Sequence, residues 1–213
     1  MEFSITLIIV IVTALVSIGG FTNAKIIDDL IFYPPSIRRG QWYRFITHGF
    51  IHADAFHLIF NMIALYSFGE RVESVFTSPV VFGEKGKLVY LLLYFSALII
   101  ASIPDFIKHR DHFHFRSLGA SGAVSAVIFA SILFNPNDGI GFAFLQGLSI
   151  PGYIFAIIYL VVSTIMARKA NDNIGHGAHI TGAIYGLVFT YVATAVFTDI
   201  DILGYFWKQV TGR

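Results

Sequence analysis

Ser121 stands among the smallest side chains of the protein, in the segment Gly119-Ala120-Ser121-Gly122, directly before an apolar run that ends at Phe134. Such neighbours let another backbone or a substrate approach the hydroxyl closely. In the first turn of a helix, a serine also lies beside unbonded backbone N–H groups and the positive end of the helix dipole. These features are typical of a nucleophile with a site for an oxyanion. The alternative is a packing serine that bonds back to a carbonyl one turn earlier.

A second residue suited to the same chemistry is His179, which lies on a helical face of small residues. The predicted helix of Ser121 carries a matching stripe. The small residues are Gly182, Ala183 and Gly186 on one helix, and Gly122, Ala126 and Ala130 on the other. Stripes of this kind let membrane helices pack closely, so we expect the two faces to meet. His179 would then act as general base toward Ser121, with His176, one turn earlier, as the competing candidate.

His57 and Asn61 are spaced i, i+4, so both project from one helical face. Two neutral donors there could bind an anionic oxygen, although a polar pair can also hold helices together. A metal site formed with His48 and His52 is a further alternative. It lacks the carboxylate or carbonyl that usually supports histidine ligands.

The composition predicts an integral membrane protein. Only 13% of the residues are charged and 56% are hydrophobic, against about 25% charged in soluble domains. A net charge of +1 gives no argument for a nucleic-acid partner, and the absence of cysteine excludes thiol chemistry and thiolate metal sites. The 213 residues allow a single domain, and no cofactor is expected.

Apolar runs matched to the roughly 20 residues that a bilayer requires predict an all-α protein with six transmembrane helices. They run from Phe3 to Ile18, Ala55 to Phe68, Leu88 to Ile103, Ser117 to Phe134, Pro151 to Ala167, and Ile174 to Phe197. Pro104 is expected to end the third helix, and Pro151 to occupy the first turn of the fifth. All charged residues would lie in loops or at helix ends, which argues against a coupled transporter.

The connection from Gly20 to Asp54 is long and contains the sequence Trp42-Tyr43-Arg44. Tryptophan, tyrosine and arginine favour the boundary between lipid and water, so we expect an interfacial segment and not a free linker. The histidines at 109, 112 and 114 form another polar cluster, before the fourth helix, and are interpreted as a solvated face.

A serine and a histidine without a carboxylate at membrane depth predict a catalytic pair and not a triad. The combination of motifs resembles the rhomboid intramembrane serine proteases over the region from about Gly40 to Gly186. The motifs are Gly119-Ala120-Ser121-Gly122, Ala178-His179-x-x-Gly182, His52 with His57-x-x-x-Asn61, and Trp42-Tyr43-Arg44.

This resemblance implies a six-helix rhomboid-like core with Ser121 as nucleophile and His179 as general base. It implies an oxyanion hole formed by His57, Asn61 and the Ser121 backbone N–H, with His52 as a supporting residue. It also implies a structural role for Glu73, a first loop that dips into the membrane, and a gate formed by the fifth helix with residues Arg168 to Gly175. Many members carry an aromatic ring four residues after the nucleophile, where this chain has Ser125.

The implied partners are the lipid bilayer and single-span membrane protein substrates, and the expected location is a bacterial cytoplasmic membrane. The sequence names no substrate and no oligomeric state. Two other classes stay open: a catalytically silent rhomboid-like protein that binds membrane helices, and a small-solute channel or transporter. The absence of predicted intramembrane charge and of internal repeats disfavours the second class.

Overall fold

The computed structural model describes residues 4–141, 149–169 and 176–213, with backbone alone at 168, 169 and 176. Ten α-helices and one small hairpin are present in this part of the chain. The helices are α1 (Ile5–Thr22), α2 (Ala24–Leu30), α3 (Pro34–Arg38), α4 (Arg44–Thr47), α5 (Ala55–Thr77), α6 (Gly86–His109), α7 (Ser121–Phe134), α8 (Gly152–Lys169), α9 (His176–Phe197) and α10 (Ile202–Thr211). The hairpin pairs β1 (Gly139–Gly141) antiparallel with β2 (Ser149–Pro151).

Three stretches of the described chain are long and apolar enough to cross a membrane: Ile5–Thr22, Gly83–His109 and Gly177–Phe197. A fourth results if Arg44–Phe50 and Ala55–Thr77, which meet at a bend of 99°, are counted as one span. Two shorter apolar helices, Ser121–Phe134 and Gly152–Ala167, fall below the roughly 20 residues that a bilayer core requires. The protein is therefore mostly helical and membrane-integrated, while helix length alone supports three or four spans.

Helix α7 forms the centre of the molecule. Every residue from Gly122 to Phe134 is buried, and α7 packs mainly against α5, α6 and α9. The outer faces of the surrounding helices expose large apolar side chains, among them Leu15, Ile63 and Val188. An apolar exterior around a helix of small and aliphatic residues is the arrangement expected of a bundle in lipid, where close packing stabilises helix association.

The predicted contact between small-residue stripes is confirmed. A Cβ on Gly182 would overlap the backbone of Gly122, and one on Gly186 would overlap the backbone of Ala126. Only glycine permits α9 to lie this close to α7. The sequence pattern thus fixes the distance between the two helices that carry Ser121 and His179.

Helix α1 is attached to α5 through a buried carboxylate. Glu73 accepts hydrogen bonds from the backbone N–H groups of Ile5 and Thr6, both at 2.8 Å, and from the Thr6 hydroxyl at 2.9 Å. An anion that binds unpaired N–H groups at a helix start is favoured by both hydrogen bonding and the helix dipole. Glu73 therefore has the structural contacts that the resemblance implied.

The connection after α1 is folded against the bundle, as expected. The Arg44 guanidinium is buried and donates to the carbonyl groups of Asp28 and Ile31 at 2.9 and 2.7 Å. Trp42 and Tyr43 beside it are exposed. Further along, Phe32 and Ser117 form an antiparallel bridge, which links this connection to the segment before α7.

Several predicted helix boundaries are wrong. Helix α6 continues through Pro104 to His109, because a membrane helix tolerates the loss of one hydrogen bond when other groups bond the freed backbone. Helix α7 begins at Ser121 and not at Ser117, because the preceding backbone bonds to Phe32 and His48 instead. Helix α1 extends to Thr22 and not to Ile18.

Charged residues do lie within two of the helices that the sequence predicted as membrane spans, contrary to the prediction. Helix α5 runs on to Thr77, so it contains Glu70, Arg71 and Glu73 beyond its predicted end at Phe68. Helix α6 contains Asp105 near its last turn. Pro151 belongs to β2, directly before α8, and α10 was not predicted. Residues 1–3 and 174–175, at two predicted helix starts, lie outside the described part of the chain.

Candidate active site

Ser121 and His179 meet where α7 and α9 are closest. The Ser121 Oγ and the His179 Nε2 lie 2.7 Å apart, and both side chains are half-buried. This distance lets the hydroxyl donate to the imidazole when Nε2 carries no proton. The two residues that the sequence selected for acyl-transfer chemistry are thus within hydrogen-bond reach of each other.

The start of α7 leaves its first backbone N–H groups available. Ser121 is the first residue of the helix, and no side chain caps the preceding Ala120. Gly119 has a φ of +114°, and a Cβ there would lie 2.8 Å from Cε1 of His57. The segment before the nucleophile therefore needs glycine for its conformation and for its approach to the histidine ring.

His57 and Asn61 lie on one face of α5 and line the same cavity as Ser121. The backbone N–H of Ala53 donates to Nδ1 of His57 at 3.5 Å, so Nε2 carries the ring proton and is a donor. The Asn61 side-chain amide donates one hydrogen to the His57 carbonyl at 3.0 Å and keeps a second one. Both side chains thus retain a donor for a substrate oxygen.

His52 is fully buried and lies behind the nucleophile. Its Nε2 accepts from the backbone N–H of Ala120 at 3.4 Å, and its Nδ1 is 3.0 Å from the hydroxyl of Ser17 on α1. Its ring also contacts that of His57 edge-on, with 4.9 Å between centroids. His52 therefore supports the backbone next to Ser121 and the ring of His57, without lining the cavity.

An aromatic ring does lie near the candidate base, but it comes from a different helix than the resemblance implied. Tyr159 on α8 lies 6.4 Å from His179 between ring centroids, at an interplanar angle of 32°. The Ser125 hydroxyl donates to the Ser121 carbonyl at 2.8 Å and lies 2.6 Å from the Tyr159 hydroxyl. Because Ser125 has one proton, Tyr159 donates to Ser125, which anchors the ring.

Four of these side chains, Ser121, His179, His57 and Asn61, line one cavity of about 710 Å³. The other polar residues on its wall are His48, Asp54, Ser102, Asp105, His114, Arg116 and Ser117. A cavity with polar walls is the setting in which irregular backbone such as residues 117–120 is tolerated at membrane depth, and it can admit water.

The other sequence candidates have different outcomes. His114 lines the cavity and so does not belong to a purely solvated face, while His109 and His112 contact each other at 2.9 Å outside it. In the described ranges, no group of three histidine, aspartate or glutamate side chains converges as a metal site requires. The His176 side chain and residues 170–175 of the predicted gate lie outside the described part.

Sequence reasoning missed Tyr159 and Ser17. Tyr159 lies in the apolar stretch Ile157-Ile158-Tyr159-Leu160, where a buried hydroxyl signals a need for a hydrogen-bond partner. That signal exists in the sequence, but it does not name Ser125 as the partner. Ser17 gives no comparable signal, because serine is common at contacts between membrane helices.

Comparison with known proteins places these motifs in one family. The rhomboid domain matches residues 39–196. The chain is 27% identical to RHOMBOID-like protein 12, mitochondrial, of Arabidopsis thaliana over 76% of its own length and 50% of that relative. It is 30% identical to rhomboid protease GluP of Bacillus subtilis over 79% of its length and 29% of that relative.

A third relative, rhomboid protease GlpG of an Enterobacter species, is 26% identical over 76% of this chain and 52% of that protein. The chain thus spans about half the length, or less, of these three relatives. The domain match covers most of the chain and includes every candidate site residue. The protein belongs to the rhomboid family.

Proposed function

We propose that this protein is a serine endopeptidase that cuts single-span membrane proteins within or near the bilayer. Ser121 is the nucleophile and His179 is the general base. The observation that carries the proposal is the 2.7 Å separation of Ser121 Oγ and His179 Nε2 at the wall of a cavity. Membership of a family that includes proteins named rhomboid proteases supports the same reaction class.

In the proposed reaction, His179 takes the hydroxyl proton as Ser121 Oγ attacks the scissile carbonyl carbon. The tetrahedral intermediate collapses, the C–N bond breaks, and the leaving amine takes the proton from His179. Water from the cavity then loses a proton to His179 and attacks the acyl-enzyme ester. Release of the carboxylic acid returns the proton to Ser121.

The negative oxygen of both intermediates would lie between the start of α7 and α5. The Ser121 backbone N–H, the Nε2–H of His57 and the second amide hydrogen of Asn61 are the donors for it. Loss of one such donor typically costs a factor of about 10² to 10³ in kcat. His52 supports this hole by holding the backbone of Ala120.

The length of α7 favours a site below the membrane surface. Its 14 residues span about 21 Å at 1.5 Å per residue, against about 30 Å of hydrocarbon. If Phe134 reaches one boundary, Ser121 lies about 9 Å below the other. We therefore propose a single-domain core with six membrane spans. The short helices α7 and α8 are two of them, in addition to the four longer stretches.

The proposed substrates are single-span membrane proteins with small residues at the cleavage point and helix-breaking residues near it. A substrate helix must unwind there, because a helical peptide group cannot present its carbonyl to Ser121. We place the protein in a bacterial cytoplasmic membrane. Its family relatives include bacterial and mitochondrial proteins.

The test is cleavage of a single-span test protein in liposomes by the purified chain. Ser121→Ala and His179→Ala are expected to abolish product, whereas Ser131→Ala, which changes a buried serine of the same helix outside the cavity, should cut normally. A fluorophosphonate should label wild type at Ser121 alone. An unlabelled, inert wild type that still binds the test protein would contradict the proposal and favour the catalytically silent alternative.

A further inference from the structure

The polar groups around His52 form a continuous chain from α1 to the nucleophile. Ser17, His52 and Ala120 are all completely buried. The Ser17 hydroxyl lies 2.9 Å from the carbonyl oxygen of Phe50 and 3.0 Å from Nδ1 of His52. The Nε2 of His52 then meets the backbone N–H of Ala120 at 3.4 Å. No solvent reaches these groups, so each proton must have a defined position.

Only one arrangement of protons satisfies all of these contacts. The Ala120 N–H can only donate, so Nε2 of His52 must be an acceptor without a proton. The neutral ring then carries its proton on Nδ1 and donates it to the Ser17 oxygen. The single Ser17 proton goes to the Phe50 carbonyl, which can only accept. His52 therefore donates to Ser17, and Ser17 donates to the Phe50 carbonyl. The Ala120 N–H donates to the other side of the His52 ring.

We propose that Ser17 is a positioning residue that acts on the active site by fixing the tautomer of His52. With Nδ1 protonated, His52 presents a lone pair to Ala120, the residue that precedes the nucleophile. A ring protonated on Nε2 would instead oppose one donor to another and release that backbone. This inference rests on the proposed function, because its consequence is measured as proteolysis.

The effect on catalysis follows from what holds residues 117–120. Besides the Ala120 contact, this segment is held by the bridge from Ser117 to Phe32 and by the Gly119 N–H, which donates to the His48 carbonyl at 2.9 Å. The contact with His52 is the one nearest to the Ser121 N–H. That N–H binds the oxyanion only as the reaction proceeds, so its displacement affects kcat more than KM.

The test compares Ser17→Ala with Thr13→Val. Thr13 lies one turn earlier on α1, is equally buried, and takes no part in the hydrogen bonds that join Phe50, Ser17, His52 and Ala120. Ser17→Ala is expected to lower kcat about tenfold, as the loss of one hydrogen bond predicts, with KM unchanged. Thr13→Val should leave both constants as in wild type.

The tautomer is read directly from imidazole ¹⁵N chemical shifts in detergent micelles, with His52→Gln used to assign the signal. Wild type should show His52 protonated on Nδ1 and Ser17→Ala should lose that state, while Thr13→Val should keep it. A wild-type ring protonated on Nε2, or equal kcat in the Ser17 and Thr13 variants, would overturn the proposal.

The two proposals fail in different ways. The imidazole spectrum needs no substrate, so a protein that cuts nothing but has His52 protonated on Nδ1 contradicts the proposed protease and not the tautomer. An active protease with His52 protonated on Nε2 contradicts the proposed role of Ser17 and not the proposed protease. A general loss of folding in Ser17→Ala would appear as a lower melting temperature than that of Thr13→Val, and equal melting temperatures assign the loss of kcat to positioning.

Discussion

Replacing Gly182 by alanine is expected to abolish most of the proteolysis by separating two helices. Gly182 on α9 faces the backbone of Gly122 on α7, directly beside the pair formed by Ser121 and His179. The change adds one methyl group and touches neither proposed catalytic side chain. Any loss of activity therefore measures how strictly the distance between the helices controls the chemistry.

The size of the effect follows from the packing. A Cβ on Gly182 would lie 2.8 Å from the carbonyl carbon of Gly122, with the carbonyl oxygen nearer still. Carbon atoms pack at about 3.5 Å or more, so the helices must part by at least about 0.7 Å. The 2.7 Å between Ser121 Oγ and His179 Nε2 then becomes at least about 3.4 Å, which weakens this hydrogen bond and lengthens the path of the proton from the hydroxyl to the imidazole. A displacement near 1 Å costs roughly a hundredfold in rate.

The assay is cleavage of a fluorescent single-span substrate in liposomes, with the rate of fluorophosphonate labelling at Ser121 measured in parallel. Gly177→Ala is the matched control. It adds the same methyl group to the same helix, but the nearest atom to its Cβ would be Oδ1 of Asp105 at 3.9 Å. Both rates should fall about a hundredfold for Gly182→Ala and stay near wild type for Gly177→Ala.

A Gly182→Ala protein as active as the Gly177→Ala control would refute the reasoning. It would mean that α7 and α9 accommodate a Cβ by sliding and not by parting, so that their separation does not set the geometry of the catalytic pair. If Gly182→Ala also lowered the melting temperature, Ala195→Gly, which weakens α9 at an exposed position outside the cavity, would serve as a check that helix stability alone does not reduce labelling.

Three further predictions concern groups around the site. Tyr159→Leu should lower kcat about tenfold in the cleavage assay because the ring beside His179 is lost, while Tyr159→Phe, which keeps the ring and loses one hydrogen bond, should retain most of it. Glu73→Gln should reduce the free energy of unfolding by about 1 to 3 kcal/mol in thermal melts, since it weakens the bonds to the start of α1 and to the Thr6 hydroxyl. Gly119→Ala should slow labelling at Ser121 by about tenfold or more, because φ is +114° and the Cβ would press on His57; an unchanged labelling rate would contradict that strain.

The central part of the site was predictable because small residues carry positional information in a membrane helix. The stripes that contain Gly122 and Gly182 had few uses other than close packing, so they identified which two helices meet. That contact was sufficient to bring Ser121 toward His179. Likewise, the i, i+4 spacing of His57 and Asn61 correctly predicted one shared face.

The boundaries were less predictable because tertiary contacts override local rules. Ser117 was assigned to a helix, but its backbone pairs with Phe32 across the molecule, and the positive φ of Gly119 is incompatible with a continuous helix. Charged residues were taken to end α5 at Phe68. In the fold, α5 continues beyond Phe68, and Glu73 on that extension binds the start of α1. No local sequence pattern reveals this contact.

The ring beside His179 could not be assigned from sequence for a related reason. Its anchor, Ser125, was recognised only as a departure from the aromatic residue that the resemblance implied at that position. Tyr159 is 34 positions away from it, on a helix with little amphipathic pattern. A contact between two single residues on different helices leaves no periodic signature, so only the fold reveals it.

The bridge between Phe32 and Ser117 connects the segment before the nucleophile to the connection that follows α1. Trp42 and Tyr43, the exposed rings of the same connection, belong to the residue types that prefer the boundary between lipid and water. The depth at which these rings lie in the bilayer therefore sets the depth of the start of α7, because the bridge joins the two segments. In the proposed protease, Ser121 would therefore lie at a fixed depth below the membrane surface. Whether a peptide bond is cleaved would then depend on its own depth in the bilayer as well as on its sequence.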